Sequence, residues 1–289
     1  MTEQERQTLE KMQDIAEIEK NIHRKEITFD TDNYVVMANN MILRSASNLS
    51  LNEMKLLRFI IMQTEKDDTE LYTFEVAAKD ICKLLGIKSK DMYKRLDTIT
   101  THLMQEVIRI GDDSAGRWLK FHWVDICRYD KGKITIKISD ELKPFLVGLR
   151  GSFTRYRLSE IIRLNSNYAI RIYEILNGYM DENNLPYADN AVEISVSIKE
   201  LRRQTNTEKK FERYSSFKQR VIDTALKEIN SKAKYHVTAT PYKDGKAIVG
   251  FDFLIESQAG FAVRQQADQN GQNDENYIEG QMNITDFIQ

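Results

Sequence analysis

Within one ten-residue stretch of this chain, six positions recur downstream in similar form. At an offset of 120, Phe74, Val76, Lys79, Asp80, Ile81 and Lys83 align with Ile194, Val196, Lys199, Glu200, Leu201 and Arg203. Six similar residues in ten indicate a duplicated supersecondary unit, which limits the fold to two copies of whatever one copy can form. A length of 289 residues agrees, because at about 150 residues per domain it holds two cores and leaves no room for a third.

The surroundings of each copy identify the unit. In the first, Ser50–Glu53 (SLNE) is a capping box ahead of the helix-spaced Met54, Leu57, Ile60 and Ile61. Leu71–Val76 reads as a short strand. A helix follows, breaks at Gly86 and resumes as a second helix with Met92, Leu96, Ile99 and Leu103 on its inner face. This is a helix-turn-helix pattern. Val107–Ile110, Trp118–Asp125 and Lys133–Ser139 then alternate apolar and polar residues around the turn-forming GDDSAG and YDKGK. In the second copy Phe153–Met180 reads as mostly helical, Val192–Val196 as a strand, Ile198–Gln204 as a helix and Tyr214–Ser231 as a longer one. Tyr235–Pro241 and Ala247–Ile255 form a hairpin around KDG.

Two helices followed by a β-hairpin make a winged helix. The predicted fold class is therefore α+β, two tandem winged-helix domains related by internal duplication, spanning 34–150 and 151–256. Residues 1–33 are expected to be a helical N-terminal arm, in which Leu9, Met12, Ala16, Ile18 and Ile22 form a loose apolar stripe along 3–25. Residues 257–289 are rich in Gln, Asn and Asp, have little to bury, and are expected to be a disordered acidic tail.

A net charge of -2 conceals a block pattern. The arm carries 5 Lys and Arg against 9 Asp and Glu, and the tail carries 1 against 5, which leaves the body mildly basic. The sharpest excess is Ser197–Tyr235, with 11 basic residues against 5 acidic ones. That stretch is the candidate surface for phosphate, although its charge count alone fits a solvated helical face as well.

Other chemistries leave no signature. His23, His102, His122 and His236 show neither His-x-His nor His-x-x-x-His spacing, and Cys82 and Cys127 lack Cys-x-x-Cys spacing. Neither a metal site nor a disulfide is predicted, and both thiols are expected to be buried packing residues. The pairs Asp67–Asp68 and Asp112–Asp113 fall in turns, and there is no Walker loop, GxSxG or GxGxxG. No catalytic residues and no cofactor are predicted, so the chain is not expected to be an enzyme. No apolar run approaches the roughly 20 residues that cross a bilayer, and the acidic N-terminus lacks the apolar segment of a secretory signal. The expected location is the cytoplasm, away from membranes.

Several stretches match a known pattern. FTRYRL (153–158) with SNYAIRIYEIL (166–176), IKELRR (198–203) with YSSFKQRVIDTALKEIN (214–230), and NNMILRSASNLSLNEMKLL (39–57) resemble theta-type plasmid replication initiators of the Rep_3 family. The resemblance spans about Tyr34 to Glu256. It implies a plasmid replication initiator whose monomer grips repeated origin sequences (iterons) in double-stranded DNA. It also implies a homodimer, in equilibrium with the monomer, that tends to repress or inhibit, and contacts with a host initiator and replicative helicase. In such proteins the second domain reads the major groove, while the first touches a neighbouring segment and supplies the dimer interface. A tandem winged-helix transcriptional regulator would have the same fold, and the motifs above favour initiation over it.

The helix Tyr214–Ser231 places Phe217, Val221, Ile222, Ala225, Leu226 and Ile229 on one face, with Ser216, Arg220, Asp223 and Lys227 opposite and Gln219 flanking. The candidate DNA-binding residues are accordingly Ser215, Ser216, Lys218, Gln219, Arg220 and Lys227, with Lys209, Lys210 and Arg213 in the preceding loop. Lys218 belongs to the family motif yet falls on the apolar side, a position from which it would snorkel. In the first domain Lys88, Ser89, Lys90 and Lys94 occupy the equivalent helix start. Near the C-terminus, Gln281, Ile284, Phe287 and Ile288 have a spacing that loosely resembles sliding-clamp peptides, a spacing that also arises by chance.

Overall fold

A computed structural model describes residues 24–27, 29–46, 48–65, 68–112, 116–183 and 191–266, together with Glu3 and Arg6. The sliding-clamp-like segment and nearly all of the arm lie outside these residues. The chain divides into two units, Met1–Ile162 and Arg163–Gln289.

In the first unit β1 (Arg24–Glu26), β2 (Tyr34–Ala38), α1 (Asn39–Arg44), β3 (Ser45–Ala46) and α2 (Leu51–Ile61) lead to β4 (Thr73–Ala77). Next come α3 (Ala78–Leu85), a 3-10 turn (Ser89–Asp91) and α4 (Met92–Gln105). Four strands follow: β5 (Val107–Asp112), β6 (Arg117–His122), β7 (Val124–Asp130) and β8 (Lys133–Ile138). The unit closes with α5 (Lys143–Leu146), β9 (Phe153–Arg157) and α6 (Leu158–Ile162).

The capping box predicted ahead of α2 is formed. The Ser50 hydroxyl accepts from the Glu53 amide, and the Glu53 carboxylate accepts from the Ser50 amide at 2.8 Å. Such a cap contributes about 0.5–2 kcal/mol. Beyond it, every residue from Glu53 to Ile61 is buried, so α2 is the central helix of its unit rather than a one-sided surface helix.

The second unit runs α7 (Asn167–Glu182), β10 (Val192–Ser197), α8 (Ile198–Gln204), α9 (Tyr214–Phe217), a π-turn (Lys218–Asp223) and α10 (Thr224–Lys232). The hairpin β11 (Tyr235–Asp244) and β12 (Ala247–Ser257) follows. Its sheet order, β10-β12-β11, reproduces the β4-β8-β7 part of the first unit's four-stranded sheet. The duplication is legible in register: Phe74 and Val76 pair with Ile136 and Ile134, and Ile194 and Val196 pair with Phe253 and Phe251. In both units the strand before the helix-turn-helix pairs with the returning strand of the wing, which gives two winged helices.

Four expectations need correction. Arg24–Glu26 is a strand parallel to β4, so the first unit begins before Tyr34 and the arm's helix does not extend to residue 25. The segment 151–162 belongs to the first unit, because β9 alternates buried Thr154 and Tyr156 with exposed Arg155 and Arg157 and pairs antiparallel with β2. That alternation is a strand signal which a helix reading of 153–180 overrode. The stretch Trp118–Asp125 is two strands in different sheets, divided at the buried Trp123. Residues 258–266 form a helix, α11, where a tail without structure was expected. Its Gln258 side chain donates to the Asn230, Ala233 and Tyr235 carbonyls, and its Arg264 pairs with the buried Glu256.

Of the two thiols, Cys82 is buried and Cys127 half-buried. Burial pushes both upward.

Candidate nucleic-acid interface

The site in the second unit is built from the helix-turn-helix upward. Helix α8 is capped by Ser197, whose hydroxyl accepts from the Glu200 amide at 3.1 Å. It ends as Asn206 turns to a positive φ of 52. Four carbonyls of the loop that follows are bonded by one side chain. Arg202 donates through Nη1 to the Thr207 and Lys210 carbonyls at 3.1 and 2.9 Å, and through Nη2 to the Phe211 and Glu212 carbonyls at 2.8 and 3.1 Å. Its guanidinium also lies over the Phe217 ring at 4.4 Å. Burial nudges its pKa down, opposed by Glu212. This arginine is absent from the predicted site. Its sequence signal was its place in the basic cluster, which marks a surface cation and does not reveal an inward staple.

The helix beyond the loop rests on its apolar residues as the wheel required. Phe217, Val221, Ile222, Ala225 and Ile229 are fully buried, and Leu226 is nearly so. They pack over α7, the SNYAIRIYEIL helix, whose Ile170, Ile172, Tyr173, Ile175 and Leu176 are buried in turn. Arg171 Nε from the same helix donates to the Gln204 carbonyl at 2.7 Å, satisfying the end of α8. Two of the motifs are thus an exposed-faced helix and its support.

Opposite the buried face, Ser215, Gln219, Arg220, Asp223, Thr224 and Lys227 are exposed, while Ser216 and Lys218 are half-buried. The π-turn brings residues five apart into register. Lys218 Nζ meets Asp223 at 2.7 Å, and the Thr224 hydroxyl donates to the Gln219 carbonyl at 3.0 Å. Lys218 is therefore engaged within the helix, while Arg220 lies outward above the Phe211 ring at 5.8 Å. Lys209, Lys210 and Arg213 are exposed on the stapled loop, and the Arg213 carbonyl accepts from the Phe217 amide at 3.0 Å.

Two cations escaped sequence reasoning. Lys243 and Lys246 are exposed at the β11–β12 tip, where Gly245 takes a φ of 58. KDGK is legible in the sequence as a turn, but nothing in a turn signal tells that its lysines stand at the tip of a wing. The Tyr242 ring lies against the Gly250 backbone, where a Cβ would fall 2.1 Å from it and would move the ring aside.

In the first unit Lys88 is exposed after the left-handed Gly86, Ser89 and Lys90 lie in the 3-10 turn, and Lys94 is exposed in the first turn of α4. The exposed Tyr93 packs edge-on against Tyr129 of β7. Among the described residues no group of three His, Cys, Asp or Glu is placed to hold a metal, and no helix is long and apolar enough to cross a membrane.

Comparison with known proteins places this geometry. Residues 34–177 match the family model described as initiator replication protein, WH1, and residues 197–255 match the one described as initiator Rep protein, WH2. A replication initiation protein of Escherichia coli is 23% identical over 168 residues, covering 58% of this chain and 50% of that protein, so the chain spans half the length of this curated relative. A crystal structure of the Pi initiator protein in complex with iteron DNA superposes with a TM-score of 0.63 at 19% identity, over 79% of this chain and 98% of that one. This likeness shows the fold.

Proposed function

The chain belongs to the initiator replication protein family, and from that premise we propose that it starts replication of a plasmid by binding iterons in double-stranded DNA. The carrying observation is a helix filled on its inner face that presents Arg220 and Lys227 outward behind a loop bearing Lys209, Lys210 and Arg213. The loop lysines meet phosphate and set register, Arg220 and Gln219 address base edges, and the wing lysines Lys243 and Lys246 add backbone contacts. In the first unit Lys88, Lys90 and Lys94 play the corresponding part. The protein acts by binding rather than by catalysis, in the cytoplasm where its DNA lies. Host initiator and replicative helicase join it there.

We also infer a homodimer in equilibrium with the monomer, formed through the first unit. What supports it is β6, the outer strand of the β3-β5-β6 sheet, which exposes Trp118 at 59% and Leu119 at 44%. Occupancy of its own promoter would make the protein an autorepressor.

Footprinting on DNA flanking its own gene tests the reading. Protection of several direct repeats is expected. Protection of a single inverted repeat alone would point instead to a regulator without an initiator role.

A further inference from the structure

One motif remains without a task in the DNA-reading surface. In FTRYRL, Thr154 and Tyr156 are core residues, whereas Arg155 and Arg157 stand on the outer face of the β2–β9 pair, opposite Val36 and Tyr34. Both converge on one phenol. The Arg155 guanidinium carbon lies 3.7 Å from the Tyr34 ring centre and that of Arg157 lies 5.0 Å from it. Among the described residues neither arginine has a carboxylate partner. Arg157 donates to the Asp32 backbone carbonyl at 3.1 Å, and Arg155 stacks on the Tyr34 ring. Two like charges held over one ring in this way repel each other, and a dianion between them would relieve both.

Beside this pair opens a cavity of about 500 Å³, within the size range of small-molecule sites. Arg155, Tyr34 and Val36 line one side. Lys25 and Thr64 line another, with Lys25 neutralised by Glu65 at 2.7 Å and Asp68 at 3.7 Å. The cationic end is therefore the arginine end. The Thr64 hydroxyl is shielded from solvent without a hydrogen-bond partner. The Tyr34 phenol is lowered, chiefly by Arg155 and further by the charge of Arg157, as expected of a positive local potential.

We propose that this cavity is a phosphate-binding site, in which Arg155 of the lining takes the phosphoryl oxygens, Arg157 adds its charge from outside the lining across the Tyr34 ring, and Tyr34 and Val36 pack against the organic part of a ligand of nucleotide size. A guanidinium fork matches phosphate bidentately, and a phosphate dianion answers both arginines where a carboxylate would answer one. The same chemistry is offered by a free nucleotide and by the sugar-phosphate backbone of DNA.

Titration calorimetry of the full chain with a nucleoside triphosphate, pyrophosphate and inorganic phosphate separates these sources. Saturable binding is expected for the wild type, with at least a tenfold loss in Arg155→Gln/Arg157→Gln and a partial loss in Arg155→Lys, which keeps the charge and loses the fork. Circular dichroism of the variants checks the fold. If free phosphates do not bind, but the double variant weakens iteron and random duplex alike and lowers the salt slope by about one unit per lost contact, the site serves the DNA backbone. Unchanged behaviour in both assays overturns the proposal. Major-groove reading by the second unit is tested separately through Arg220, so failure of one reading leaves the other standing.

Discussion

Cations that look alike in the sequence have different work in the fold, and substitutions separate them. Arg220 stands outward on the reading helix with no carboxylate bound to it among the described residues, and an arginine there can bond bidentately to guanine. Arg220→Ala is expected to cost about 1–3 kcal/mol on the iteron and to relax preference at one base pair, with random DNA barely affected. Lys209→Ala should weaken iteron and random DNA together and reduce the salt slope by about one unit, as loss of a phosphate contact does. Binding titrations at several salt concentrations read both. Equal weakening of the two DNAs by Arg220→Ala, with a reduced salt slope, would make that residue a backbone contact. Arg202 is a third kind, since its four carbonyl partners make it a positioning residue for the loop. Arg202→Ala should lower iteron affinity at least as much as Lys209→Ala while also raising amide exchange across 207–212, and Arg202→Lys, a point charge without a fork, should not rescue it. Exchange that stays at the wild-type rate would return Arg202 to the status of an ordinary surface charge.

At the level of elements, the helix-turn-helix repeats were legible because their period is local: Leu96, Ile99 and Leu103, and Val221, Ile222, Ala225 and Ile229, are all buried where helical spacing puts them. The π-turn at 218–223 was not legible, since it is defined by which amide meets which carbonyl, and the apolar spacing is unchanged by it. The parallel partner of Arg24–Glu26 was hidden for a related reason, because strand pairing is non-local and three residues carry no period. Helix α11 was missed because composition averaged over 257–289 drowned Gln258, Phe261 and Arg264, which anchor its start to the second unit. The Phe261 ring stacks on His236 with centroids 3.2 Å apart. Ending the chain at Ser257 is expected to cost about 1–3 kcal/mol, because the buried Glu256 loses its arginine and three carbonyls lose a donor, whereas ending it at Gln266 should cost little. Thermal unfolding of the two truncations decides, and equal melting temperatures would show α11 to be incidental. Burial holds the His236 pKa below its ordinary value, with Glu256 opposing and Arg264 assisting. The unfolded chain then takes up the proton more readily, so stability should fall as pH drops below about 6.5. His236→Phe should flatten that part of the profile, and a parallel decline in wild type and variant would place the proton elsewhere.

For the whole molecule, self-association and DNA binding are expected to compete. β6 carries the apolar Trp118 and Leu119 together with exposed Arg117 and Lys120, and the Lys120 ammonium lies 4.6 Å from the Trp118 ring centre. A second chain added along this edge would bury the two apolar side chains and, in the proposed reading, engage the same unit that presents Lys88, Lys90 and Lys94 to DNA. If one unit cannot serve both partners at once, each must lower the affinity for the other by the same factor. The edge cations also oppose pairing, which keeps the association reversible. If only the monomer binds, the apparent dissociation constant is the intrinsic one divided by the monomer fraction. A sample nine-tenths dimeric should thus bind an iteron about tenfold more weakly than a dilute one. Leu119→Lys places a further charge on the edge and should shift sedimentation toward monomer, removing the concentration dependence of iteron affinity while leaving the intrinsic constant unchanged. Sedimentation as a strict monomer at every concentration, or iteron affinity that does not weaken as dimer accumulates, would refute the coupling. An intrinsic constant that fell in Leu119→Lys would instead make β6 a direct DNA contact.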